Sequence, residues 1–237
     1  MKTRKFPLIM ILAGSLLASS CIMYKPQSVD VPLINHQGDC RIDGAVSISP
    51  IVIISEPDIN VTGSYGVTEW GAVQLHANYN GDKGIYGQAA VGYYHPIDKA
   101  VLEVYAGCGY GSNEFDYSSD KKNLKGNHKQ FFVQPNFGWV DLANGHIDLG
   151  IGLKCGYFMP DFTESELDEN SDMWIETSRY TKKSPLFEPQ FFFRAGGKHL
   201  KFTLRFGYCE FFDDEMFNGS DAIYAPFTVS AGLNYRF

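Results

Sequence analysis

The stretch Phe227 to Phe237, FTVSAGLNYRF, decides the fold. Read as an extended strand, it sends Phe227, Val229, Ala231, Leu233, Tyr235 and Phe237 to one side and Thr228, Ser230, Gly232, Asn234 and Arg236 to the other, because successive side chains of a strand point to opposite faces. In a soluble sandwich the apolar face would lie against a second sheet. A strand that ends on an aromatic carboxy terminus, with small and polar residues on its other face, suits instead a barrel with lipid outside and a polar lumen inside.

This ending resembles the C-terminal strand of gram-negative outer-membrane β-barrel proteins, which close on an aromatic residue preceded by alternating apolar positions. Tyr235 and Phe237 carry the likeness. It implies that the strand serves as the signal to the barrel assembly machinery.

The amino end has Lys2, Arg4 and Lys5, an apolar run from Phe6 to Ala18, and Ser19-Ser20 before Cys21. That is the layout of a secretory signal peptide, and the run is too short to span a membrane as a helix. The ASSC ending resembles a bacterial lipobox, with Ala18 where that family has Leu. The resemblance implies lipidation of Cys21 as the first mature residue; an ordinary signal peptide cut nearby is the alternative. Residues 1–20 are thus expected to be the signal, 21–40 a periplasmic leader with two prolines and no sustained period, and 41–237 the barrel. The net charge of −7 becomes −10 without the three bases of the signal, which excludes nucleic acid as a partner. Cys40, Cys108, Cys155 and Cys209 show no metal-binding spacing.

From Arg41 the alternation recurs about ten times, with strands expected at 41–49, 59–67, 73–79, 85–94, 102–110, 131–139, 147–157, 187–195, 202–208 and 227–237. The all-β, antiparallel barrel so defined has short turns after strands two, four, six and eight, at Thr68–Trp70, His95–Asp98, Asn144-Gly145 and Gly196-Gly197. Its other connections are longer, Asn80 to Gly84 excepted; Ser112–Asn127, Thr163–Ser184 and Phe212–Ile223 read as polar or acidic loops. Short turns belong to the periplasmic side and long loops to the outside. An even strand count then puts both chain ends in the periplasm.

On the apolar face, Tyr79, Tyr110, Tyr157 and Tyr208 near the long loops, and Tyr93, Trp139, Phe193 and Tyr235 near the short turns, are placed for two interfacial girdles. Inward positions carry Arg41, Asp43, Glu103, Asp148, Lys154, Glu188, Arg194, Lys201, Arg205 and Arg236. Unpaired charges in a packed core would each cost several kcal/mol, about the desolvation penalty of a buried ion, so this face is a wet lumen or an ion-paired one. With Tyr86, Tyr105, Phe132 and Phe192 also inward, a charge lattice filling a narrow barrel is expected, and a conduction path is the alternative. Cys108 and Cys155 share the lipid-facing parity on strands that are not neighbours and are expected unbonded.

His128, Asp161 and Ser184 are the catalytic types expected near the outer rim, where outer-membrane proteases, acyltransferases and lipid A deacylases carry their residues; no local motif of those families is present. The acidic runs Asp213-Asp214-Glu215 and Glu164 to Asp172 have carboxylates for a hard cation but not the spacing of a calcium loop. The expectation is therefore a non-enzymatic barrel without cofactor or metal, lodged in outer-membrane lipid and offering its outer loops to an envelope protein or serving an envelope complex. A narrow porin-like channel is the rival, and a rim enzyme a third reading.

Overall fold

The computed structural model describes residues 21–27, 29–49, 57–80, 84–117, 122–168, 172–213 and 222–237. The signal region and the Ile51–Ile54 run lie outside them. Ten strands close into one antiparallel barrel: β2 (Cys40–Ile48), β3 (Asp58–Gly66), β4 (Gly71–Asn80), β5 (Gly84–Ile97), β6 (Ala100–Tyr117), β7 (Lys122–Asp141), β8 (Ile147–Asp168), β10 (Ser184–Gly196), β11 (Leu200–Tyr208) and β14 (Phe227–Arg236). Each pairs with the strand before it in this order, β10 with β8 across the intervening β9 (Met173–Tyr180), and one joint, β14 with β2, closes the ring. β14 lies against β2, with Arg236 opposite Arg41, and β8 lies against β10, with Asp148 opposite Arg194.

The alternation sorts side chains as the sequence predicts. In β4, for instance, buried and exposed residues follow one another strictly from Ala72 to Asn80. The inside is the polar face, with Gln74, His76 and Asn78 buried, while Val73, Leu75 and Tyr79 are exposed. That inversion leaves a continuous apolar outer wall, which only lipid satisfies. Tyr79, Tyr110 and Tyr157 are exposed toward the loop end, and Tyr93, Trp139, Phe193 and Tyr235 toward the turn end; Tyr208 is half-buried.

The four short turns fall where expected. Asp98 takes φ 56° between β5 and β6, and Asp141, Ala143 and Asn144 take φ 54°, 50° and 61° ahead of β8. Such left-handed residues match a tight reversal to the twist of the strands it joins. The long connections differ more. Ser112–Asn127 is no loop: β6 and β7 run on as a paired hairpin, Ser112 opposite Asn127 and Tyr117 opposite Lys122. Likewise β8 continues to Asp168, and β9 (Met173–Tyr180) folds back along it. Polar residues on both faces hid these extensions, because a hairpin standing clear of the membrane has no apolar face to bury. The Phe212–Ile223 connection lies largely outside the described residues; β12 (Glu210–Phe211) and β13 (Ala222–Tyr224) flank it.

The amino-terminal segment departs furthest from expectation. It does not hang below the barrel as a periplasmic leader but runs through it. At the loop end β1 (Cys21–Tyr24) pairs in parallel with β13. Tyr24, Val29, Asp30, Val31, Leu33 and Ile34 are then all buried, and the segment emerges at the turn end, where Arg236 Nε lies 2.9 Å from Asp39 Oδ1. The apolar core is correspondingly inside the barrel: Val31 and Leu33 cluster with Val101, Val140 and Phe192, and Ile34 with Ala72, Ala90, Tyr94, Tyr105 and Phe132.

Candidate functional site

The lumen is the site, and its wall is built by inward positions of adjacent strands. Glycines there make room for the segment. A Cβ on Gly138 would come within 2.7 Å of the Leu33 side chain, and one on Gly152 within 2.9 Å of Val31. Side chains of the wall then hold the segment's main chain, which has no ladder of its own inside the barrel. Gln190 Nε2 donates to the Val29 carbonyl (2.6 Å), Gln74 Nε2 to that of Asp30 (2.9 Å) and Arg41 Nη2 to that of Leu33 (3.3 Å). Arg194 donates to the Val31 carbonyl. In the other direction, the Ile34 N–H donates to Glu103 Oε1 (2.7 Å) and the Asp30 N–H to Thr62 Oγ1 (3.4 Å).

The ten inward charges read from the sequence are brought together, and nine of them are buried; Arg236 is half-buried. Asp148 Oδ1 lies 2.5 Å from Lys201 Nζ, and its Oδ2 3.5 Å from Arg41 Nη1. Arg205 pairs with Asp43. Lys154 Nζ is 3.3 Å from Glu188 Oε2, and the Tyr24 hydroxyl donates to Glu188 Oε1 at 2.8 Å. Arg236 Nη1 reaches Asp141 Oδ2 at 3.0 Å. Glu103 accepts from the Ile34 N–H, from Asn136 Nδ2 (3.1 Å) and from the Tyr105 hydroxyl (3.5 Å).

Three members of the lattice were not anticipated, because they belong to the segment. Asp30 accepts from Arg194 Nη2 at 2.5 Å, from Arg205 Nη2 at 3.3 Å and from Asn234 Nδ2 at 3.1 Å. Asp39 meets Arg236, and Lys25 Nζ lies 3.2 Å from Asp58 Oδ1. The signal was available in the row of inward glycines at Gly138, Gly150, Gly152 and Gly156, which a lumen filled only by wall side chains does not need. Between segment and wall, the crevice beside Pro26, Gln27, Val29, Gln134 and Lys154 measures about 10 Å³, room for one water.

The catalytic types do not meet. His128 points inward, buried, its ring stacked on Tyr86 at 5.5 Å between centroids and tilted against Phe158 at 5.2 Å. Asp161 points out of the same wall, exposed, with its carboxylate 3.0 Å from Arg179 Nη2. Ser184 Oγ accepts from the Asp213 N–H at 3.2 Å. Of the acidic runs, Glu164 accepts from the Tyr180 hydroxyl and Asp213 lies 3.2 Å from Lys182 Nζ, while Asp214 and Glu215 fall outside the described residues. No cluster of three metal-ligating side chains occurs among the described residues. Cys108 and Cys155 face outward as free thiols, on strands separated by β7. Cys209 is free and buried, and burial pushes its thiol well above the usual range.

A closed ten-stranded barrel with an apolar outside and a charged inside has the outer-membrane β-barrel fold. A solved structure agrees. The outer membrane protease OmpT from Escherichia coli matches with a TM-score of 0.51 at 10% identity, over 85% of this chain and 94% of that one. The KdgM porin matches at a TM-score of 0.39 and 10% identity, over 83% and 99%. Ail, the attachment invasion locus protein of Yersinia pestis, matches at 0.37 and 11%, over 85% and 99%. At 10% identity the likeness to the protease speaks to fold alone. No protein-family model matches the sequence, and no curated protein matches it either.

Proposed function

We propose that this chain is an outer-membrane barrel held shut by its own amino-terminal segment, without catalytic activity, that acts through the loops and hairpins at its outer end by binding an envelope partner. One observation carries the reading: residues 24–27 and 29–34 fill the lumen and are bound there through both main chain and side chains. The separation of His128 from Asp161 by the barrel wall supports the absence of rim catalysis. With short turns on the periplasmic side, β14 delivers Tyr235 and Phe237 to the periplasmic rim, where the assembly machinery would read them. The segment then carries Cys21 up to the outer rim, so an acyl chain on it would enter the outer leaflet. Cys21→Ser should block lipidation and leave unprocessed precursor; maturation with unchanged mass would mean an ordinary signal peptide.

The test of closure is planar-bilayer recording of the purified full-length protein. No steady conductance is expected, and large stable openings would overturn the reading. A second reading, a narrow channel opened when the segment withdraws, is favoured by how the stretch inside the lumen is held: by scattered side-chain contacts, with main-chain pairing only at its two ends, to β13 and to Gly66 of β3.

A further inference from the structure

We propose that the lumen contains an oxyanion site, formed by Arg194 on β10, Arg205 on β11 and Asn234 on β14, which Asp30 occupies in the closed barrel and a carboxylate- or phosphate-bearing solute takes when the segment withdraws. The inference rests on the channel reading above. Donors from three successive strands converge on one carboxylate: Arg194 and Arg205 on Oδ1, Asn234 on Oδ2. That carboxylate belongs to the removable part of the structure; the donors belong to the wall. Charge-assisted hydrogen bonds of this kind recognise carboxylate and phosphate alike. Arg194 also has donors in reserve, since neither Nε nor Nη1 makes a hydrogen bond among the described residues. Nη1 stands 3.9 Å from Asp148.

The surroundings favour an anion as well. Lys154, Arg194, Lys201, Arg205, Arg236 and Arg41 all stand on the contiguous strands β8, β10, β11, β14 and β2. The facing wall, from β4 to β7, presents the buried amides of Gln74, Gln88, Gln130, Gln134 and Asn136 and one carboxylate, Glu103, which Asn136 Nδ2 holds at 3.1 Å. Withdrawal of the segment takes Asp30 from the basic wall and Lys25 from Asp58, while Asp39, whose carbonyl accepts from the Gly66 N–H of β3, stays with the wall. The cations there keep Asp39, Asp43, Asp141, Asp148 and Glu188 and lose the carboxylate shared by Arg194 and Arg205. A water-filled lumen with one basic wall concentrates anions along it.

The full-length Asp30→Lys variant sets a cation against Arg194 and Arg205 and should expel the segment. In bilayers under a potassium chloride gradient it should open steps absent from the wild type, with a reversal potential displaced toward that of chloride. Inorganic phosphate, and separately succinate, should block the chloride current at millimolar concentration, and adding Arg194→Gln with Arg205→Gln should abolish both block and selectivity. Block by only one of the two would assign the site to phosphate or to carboxylate. Cation-selective openings, or a current indifferent to both anions, would overturn the proposal. If Asp30→Lys does not assemble, Asp30→Asn is read by the same two criteria. Steady conduction by the wild type would fail the closed-barrel reading instead, and its response to phosphate would still decide the site.

Discussion

Asp30 belongs to a stretch with no strand period of its own, yet it is the carboxylate on which two arginines from the wall converge. Ion pairs in a low-dielectric lumen are held by geometry rather than by large net energy, so removing one partner leaves the others exposed to the full desolvation penalty. Outside the barrel the balance is different, because lipid accepts only apolar atoms. Ile151 is exposed on β8 between Phe137 and Phe191 of the neighbouring strands. Ile151→Arg should therefore cost about 2 to 4 kcal/mol near the bilayer midplane, measured by reversible urea unfolding into lipid vesicles. Full stability of that variant in buffer without detergent would contradict a lipid-facing wall. Arg205→Leu, on the inward face, should assemble but leave Asp43 and Asp30 short of a partner, seen as a lower unfolding midpoint with the heat-modifiable gel band retained.

At the scale of elements, the membrane-spanning parts of the ten strands and the four tight turns were legible in the sequence because lipid on one side and a polar lumen on the other impose period two. FTVSAGLNYRF and the run from Ile147 to Tyr157 carry that period without a break. The hairpin of β6 and β7 and that of β8 and β9 were not legible: above the membrane both faces meet water, and the pattern lapses. The inner segment was illegible for a different reason. Its contacts are apolar at Val31, Leu33 and Ile34 and ionic at Asp30 and Asp39, in no repeating order, because each is matched to the patch of wall it crosses. This placement makes its own prediction. An epitope inserted after Ile22 should be accessible to antibody on intact cells, since β1 lies at the loop end with β13. Access only after permeabilisation would mean that the amino end stays in the periplasm and that the segment enters from below.

For the whole molecule, the charge lattice, the aromatic inward residues and the segment together make the barrel a solid body. Such a barrel should resist detergent unfolding and migrate differently on gels before and after boiling, in the outer-membrane fraction; recovery as a soluble periplasmic monomer would end the account. Its central claim is that residues 24–27 and 29–34 lie in the lumen, and a pair of cysteines tests that directly. The Val31 side chain lies 2.9 Å from where a Cβ on Gly152 would stand, a separation at which two cysteines can bond with small backbone adjustment. Val31→Cys with Gly152→Cys, extracted from membranes under mild oxidation and digested, should yield a peptide joining residue 31 to residue 152 by mass spectrometry. A correctly assembled, heat-modifiable barrel in which both thiols stay free and react with a water-soluble maleimide would contradict it.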